Sequence, residues 1–137
     1  MTALGAFSAG DVLTAADLNA IGTWTDFTPT TGASSGTLTT VTKNYAKYVE
    51  IGKLVIVTYD YTLNNIGTAT GAFRIDTPST AATTSSGTLY GREINNTGNS
   101  LNGELFNTTT WTVLNYANGT QIQTNNRLRF TGIYEKA

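Results

Sequence analysis

The chain's nine acidic side chains are its main acid–base resource: Asp11, Asp17, Asp26, Glu50, Asp60, Asp76, Glu93, Glu104 and Glu135. Histidine and cysteine are absent. That removes the commonest general base, the commonest metal ligand, thiolate chemistry and disulfides. Glycoside hydrolysis needs two carboxyl groups close together on facing elements. Only Glu50 and Asp60 could approach each other, across one hairpin. Their tyrosine and lysine neighbours read instead as a solvated strand face. No calcium loop, nucleophile elbow or phosphate-binding loop occurs. The sequence therefore predicts no catalytic residue, no metal site and no cofactor.

Binding chemistry has better candidates. Trp111, Tyr116 and Asn118 lie around one strand end and turn. An aromatic face can stack on the CH face of a sugar ring while amides meet its hydroxyls. Trp111 shares its parity with Val113 and reads as core. Tyr116 has the opposite parity, so Tyr116 and Asn118 are the candidate glycan contacts. The triplets starting at Asn95, Asn107 and Asn118 match the glycosylation sequon, as chance allows in a chain this rich in Asn and Thr. The basic residues are scattered. Arg127 and Arg129 share a strand face, but two charges do not make a stripe for a phosphate backbone, and the net charge is −1. Nucleic acid is not an expected partner.

These residues must be positioned by elements. A length of 137 residues fits one domain, and 39% hydrophobic content allows a modest core. Charged residues make up only 12%, so the surface is polar through Thr, Ser and Asn. No apolar run approaches the ~18 residues of a membrane span, and the N-terminus does not read as a signal peptide.

Residues 24–137 read as a β domain. Pro29 marks "TWTDFTPTT" as an edge strand or extended arm. "TGASSG" reads as a loop and "TLTTVTK" as a Thr-rich strand. The clearest hairpin runs from Tyr45 to Ile51 and from Leu54 to Leu63. Its two-residue turn, Gly52-Lys53, carries the II′ signature. The second strand is apolar on both faces at its start, which suggests a central strand or one covered by another subunit. Further strands are expected in "AFRIDTP", "GTLYGREIN", "LNGELF", "TTWTVLNYA" and "RLRFTGIYEK". The last has Leu128, Phe130, Gly132 and Tyr134 on one face. Asn102-Gly103 reads as a tight turn or bulge, and Asn118-Gly119 as a type I′ turn. Eight or nine short strands predict an all-β, antiparallel β-sandwich, jelly-roll-like.

Residues 1–23 differ. Thr14 is an N-cap before "AADLNAI", Asp17 completes a capping-box-like pair, and Leu13 and Leu18 sit at staple positions. Gly22 is a C′ stop. The predicted helix, Ala15 to Ile21, is shorter than the ~12 residues that persist alone in water, so it must dock. It could pack on its own β domain or on a neighbouring protein. Phe7, Val12, Leu13, Leu18 and Ile21 are the candidate docking residues.

The leader "AFSAGDVLTAADLNAI", followed by Trp24 and "FTPT", resembles the opening of many tailed-bacteriophage structural proteins. In those, a G-[DE]-[VI]-L-T-A-A-D-L-N leader precedes a W-x-x-[FY]-x-P-x segment. "YAKYVEIGKLVIVTYDYTL" resembles the hairpin of such phage β domains, and "FTGIYEK" their final strand. Residues 80–126 match nothing of that pattern. The resemblance implies a non-enzymatic virion protein on the particle exterior: a homotrimeric β-sandwich held to capsid or tail proteins by its N-terminal arm. Two functions follow from it: a fibre or fibre-tip module attaching to host-surface glycan, or a capsid decoration protein that binds shell subunits only. A carbohydrate-binding module is a weaker third reading.

Overall fold

The computed structural model describes Gly10 and residues 12–137. One short helix, α1 (Ala15–Ala20), precedes nine strands. These are β1 (Thr25–Asp26), β2 (Thr31–Ser35), β3 (Thr40–Ile51), β4 (Leu54–Asn65), β5 (Thr70–Asp76), β6 (Gly87–Glu93), β7 (Ser100–Asn107), β8 (Thr110–Asn115) and β9 (Asn126–Glu135). All pairings are antiparallel. The strands form one ladder in the order β1-β3-β4-β9-β6-β7-β8-β5-β2. The all-β, sandwich-like expectation holds. Its layers come from one curled sheet rather than from two separately hydrogen-bonded sheets.

The curl follows from the connection between β1 and β2. These consecutive strands lie at opposite edges of the ladder. Phe27 N–H still donates to Ala46 O on one edge, while Thr30 O already accepts from Asp76 N–H on the other. Only Thr28 and Pro29 cross between the edges. Three Cα steps of 3.8 Å span at most roughly 11 Å, so the sheet must bend until its ends nearly meet. Pro29 is buried at the crossing, where its missing N–H leaves no unsatisfied donor.

Alternation along the strands fills the interior. In β4, Val55, Val57, Tyr59, Tyr61 and Leu63 point inward, and in β9 Leu128, Phe130 and Tyr134 do. Trp111, Tyr59, Tyr134, Phe73 and Phe130 are the bulkiest fully buried side chains. Trp111 is therefore core, as its parity with Val113 implies. Its indole occupies space left by two glycines. A Cβ on Gly132 would lie 2.8 Å from Trp111 Cζ2, and one on Gly87 2.8 Å from Cη2.

The main hairpin forms with Ile51 opposite Leu54. Gly52 has φ +60, and among the described residues the only non-glycine residues with positive φ are Asn118 and Asn125. That is the II′ pattern at Gly52-Lys53.

Several local expectations are corrected. "TGASS" is strand β2, not a loop: it adds to β5 as an edge, with Thr31 opposite Ile75 and Ala33 opposite Phe73. Asn102-Gly103 lies within β7, where Gly103 allows a close approach; a Cβ there would meet Thr112 O at 2.4 Å. The turn after β8 is not type I′. Asn118 N–H donates to Asn115 O at 2.9 Å, so Tyr116 and Ala117 are its central residues. Asn118 alone is left-handed, with φ 59.

Candidate functional site

The arm ends in a helix whose polar groups are satisfied and whose apolar groups are not. Thr14 caps α1 in a reciprocal capping box. Asp17 N–H donates to Thr14 Oγ1 at 3.2 Å, and Thr14 N–H donates to Asp17 Oδ2 at 2.9 Å. The Thr14 hydroxyl, then its backbone N–H, hold the Asp17 carboxyl below the usual carboxylate range. Ile21 is the C-cap, one residue past the last helical position. No residue of α1 is buried. Val12 is 81% exposed, and Leu13, Leu18 and Ile21 are 47%, 51% and 40% exposed. None of these four side chains belongs to the core of the β domain or packs against it. Phe7 lies outside the described residues.

The outward face of β3, β4, β9 and β6 carries two unlike regions. At the end near the Gly52 turn, Ile51, Leu54 and Ile133 are each more than two-fifths exposed, as is Trp24 just before β1. Ile56 lies opposite Ile133 and Val49 opposite Ile56, so these side chains form one apolar patch. The doubly apolar start of β4 is real, and its second face is open.

Farther along the same strands the face turns polar and positive. Asp60 pairs with Arg129, and Arg129 with Arg92, so the three lie in one row across β4, β9 and β6. Asp60 is not a solvated strand residue; it is 5% exposed. Arg127 clamps it with Nε–Oδ1 and Nη2–Oδ2 contacts of 2.8 Å each. Arg129 Nε donates to Oδ2 at 3.0 Å, and Asn44 Nδ2 donates to Oδ1 at 3.0 Å. Burial pushes the Asp60 carboxyl up, but the donors on Arg127, Asn44 and Arg129 outweigh it and hold it below its ordinary value. Glu50 pairs with Val55, on the inward parity, and bonds Lys136 and Ser79 instead. The two carboxylates face opposite sides of the sheet, so they form no catalytic pair.

A hollow of about 590 Å³ opens beside Arg129, lined by Tyr90, Arg92, Ile94, Ser100 and Thr131 among others. Tyr90 is 69% exposed. The strands set these positions. Thr131 lies opposite Tyr90, Ser100 opposite Arg92, and Asn102 opposite Tyr90. Tyr116 N–H donates to Ser100 O at 3.1 Å, which continues the β7–β8 register by one residue. Tyr116, 72% exposed, therefore extends the Arg129–Arg92–Ser100 row onto the next strand. Asn118 is exposed at the turn beyond.

Glu93 organises the loop that holds Arg92. It points inward and is fully buried. Its carboxylate accepts from the backbone N–H groups of Asn95, Asn96, Thr97 and Gly98, and from the Thr97 hydroxyl. Burial pushes this carboxyl up, but the N–H groups, Thr97 first, bring it down to about 2. The loop so wrapped presents Gly98 O to Arg92 Nε at 3.1 Å. Sequence reading singled out neither Glu93 nor Arg92. The strand "GTLYGREIN" was legible, but nothing in the sequence shows that β6 lies beside β9.

Among the described residues no cluster of acidic side chains could hold a metal ion, and no helix is long and apolar enough to cross a membrane. Searches of protein-family models, curated proteins and solved structures return no match to this chain.

Proposed function

We propose that this chain is a non-enzymatic structural protein of a tailed-phage particle, docked by its N-terminal arm and displaying its β domain outward. The observation that carries this reading is the state of the arm. Its helix is capped at the polar level, yet Val12, Leu13, Leu18 and Ile21 remain exposed, while the β domain completes its core without them. A helix of six residues has too little intrinsic stability to be kept for itself. Ordering on a partner surface gives it a role. Burial of each large apolar side chain there would contribute roughly 1.5–3 kcal/mol as an upper range. The leader's resemblance to phage structural proteins names the partner: a capsid or tail protein.

The reading includes a homotrimer. The patch of Trp24, Ile51, Leu54 and Ile133 is an open apolar surface of the kind that subunit contacts cover. Three arms per assembly would multiply attachment through avidity. The displayed face favours attachment to host-surface glycan, because Tyr90 and Tyr116 are exposed beside two arginines. A decoration protein that binds shell subunits alone remains the second reading, carried by the arm without that face.

The test is occupancy on particles that lack the protein. The full chain is expected to bind them, and a chain starting at Thr23 to fold but not bind. Wild-type occupancy by the truncated chain would place the anchor in the β domain. Sedimentation at ~10 µM, a concentration at which specific interfaces ordinarily associate, and particle symmetry check the trimer; a monomer in both settings rules it out.

A further inference from the structure

We propose that the outward row of Arg129, Arg92 and Ser100, with Tyr90 beside it, is a binding site for an acidic sugar. A pyranose ring would lie on Tyr90 and its carboxylate between Arg92 and Arg129. This deepens the attachment reading; it does not depend on the arm.

The charge arrangement is the first ground. Arg92 and Arg129 are directly opposite on neighbouring strands. Like charges in that position destabilise a sheet. Asp60 is the only carboxylate in the row, and Arg127 already pairs with it through two contacts of 2.8 Å. Asp60 contacts two guanidinium groups, those of Arg127 and Arg129, and Arg92 adds a third beside Arg129 with no acidic partner among the described residues. No carboxylate lines the hollow itself. An anionic ligand would offset this surplus.

The donors are the second ground. Arg92 gives Nε to Gly98 O, and Arg129 gives Nε to Asp60, with its Nη2 2.9 Å from the same carboxylate oxygen. Both side chains are thus held by contacts at Nε. The Arg92 Nη groups have no protein partner among the described residues and stay available as donors. Planar guanidinium groups suit the two oxygens of a carboxylate. The Gly98 carbonyl is itself fixed by the loop around Glu93, so Arg92 is positioned before any ligand arrives.

Dimensions and lining are the third ground. Neighbouring strands are ~4.8 Å apart, and residues i and i+2 on one strand ~6.8 Å apart. Tyr90 and Arg92, with Thr131 and Arg129 opposite them, therefore frame an area the size of one sugar ring. Ser100 borders it on β7 with a hydroxyl. Tyr116 stands one strand beyond, where the next sugar of an oligosaccharide would lie. An aromatic platform with a few convergent polar groups is the usual make-up of a small-molecule site. The length of the row favours a polymer-derived acidic saccharide over a bare anion.

The experiment is calorimetric titration of the full chain with uronic-acid and sialic-acid oligosaccharides. Their carboxyl-reduced counterparts and inorganic phosphate serve as comparison probes. At least one acidic oligosaccharide is expected to bind with Kd below about 1 mM, at least about tenfold more tightly than its reduced counterpart, and more weakly as salt rises. Arg92→Gln and Tyr90→Ala should each weaken binding about tenfold or more, with melting temperatures near wild type, because both side chains are exposed. Lys53→Gln, at the far hairpin turn, should leave affinity unchanged. Three results would overturn the site: no acidic oligosaccharide binding at about 10 mM, equal binding of reduced sugars, or binding that Tyr90→Ala leaves intact while phosphate competes. None of them touches the docking reading, because particle occupancy is measured separately.

Discussion

The N-terminal arm and the β domain solve opposite halves of the same problem. In the arm, backbone polarity is settled locally, by a Thr14–Asp17 box that closes within three residues, while the large apolar side chains of its described residues stay two-fifths or more exposed. In the β domain, apolar side chains meet across a curled sheet, and polarity is settled locally around Glu93 but over long sequence separations across the sheet. Asp60, for example, meets Arg127 and Arg129 from a strand 67 and 69 residues away. Local satisfaction with open apolar groups suits a segment that completes its folding elsewhere. Long-range satisfaction with a filled interior suits a body that folds by itself.

The hardest way to break the β-domain half is to remove the carboxylate that the Asn95–Gly98 loop surrounds. Glu93→Ala leaves five backbone N–H groups, those of residues 95–98 and of Arg127, and the Thr97 hydroxyl without their acceptor and should cost about 3 kcal/mol. The acid dependence carries the same information. The folded carboxyl, at about 2, binds its proton more weakly than the ordinary value of 4.5. Its contribution is complete above about 4.5 and is lost as pH falls toward 2, at most about 3 kcal/mol in all. Glu93→Gln should therefore be clearly less stable than wild type at pH 7, by a margin that shrinks at pH 3. A margin independent of pH in chemical denaturation would show that the charge contributes nothing.

The next effect is in the core. Gly132→Ala places a methyl group where Trp111 already lies and should cost about 1–3 kcal/mol through overpacking. An unchanged melting temperature would mean that the indole has room to move. Gly52→Val should cost more than about 1 kcal/mol, because Gly52 has φ +60 and a β-branched residue is strained there. A hairpin that tolerates valine would have to use another turn geometry.

These sites also show what could be read from the sequence. Gly52-Lys53 was legible because a two-residue turn between alternating strands is a local pattern, as is the Thr14–Asp17 box. The inward face of β9 was legible from Leu128, Phe130, Gly132 and Tyr134 alone. β2 was not, because Gly32, Ala33, Ser34 and Ser35 have little strand preference; pairing with β5 imposes the conformation. The Asn118-Gly119 turn misled because its asparagine takes the left-handed position alone, closing a turn that begins at Asn115. Tyr116 was rightly placed on the surface. Its neighbours Arg92 and Tyr90 were out of reach, because the order β9-β6-β7-β8 follows from how the sheet closes and not from any one segment. Glu93 gave no signal at all, since a single glutamate before a polar turn looks like any solvated one.

The smallest expected change in stability is the sharpest test of the contrast. Leu18 is 51% exposed on a helix with no buried residue. Leu18→Asp should therefore shift the stability of the β domain by no more than about 0.5 kcal/mol. Its effect on docking should be large, because an unpaired carboxylate in an apolar contact carries a desolvation penalty of several kcal/mol. Particle occupancy should fall to background while the melting temperature stays within a degree or two of wild type. The two measurements together decide the matter. A lowered melting temperature would show that α1 packs on the β domain in solution, and the arm would then be part of the body. Unchanged occupancy with unchanged stability would show that Leu18 faces solvent in the docked state, and the anchor would have to lie elsewhere.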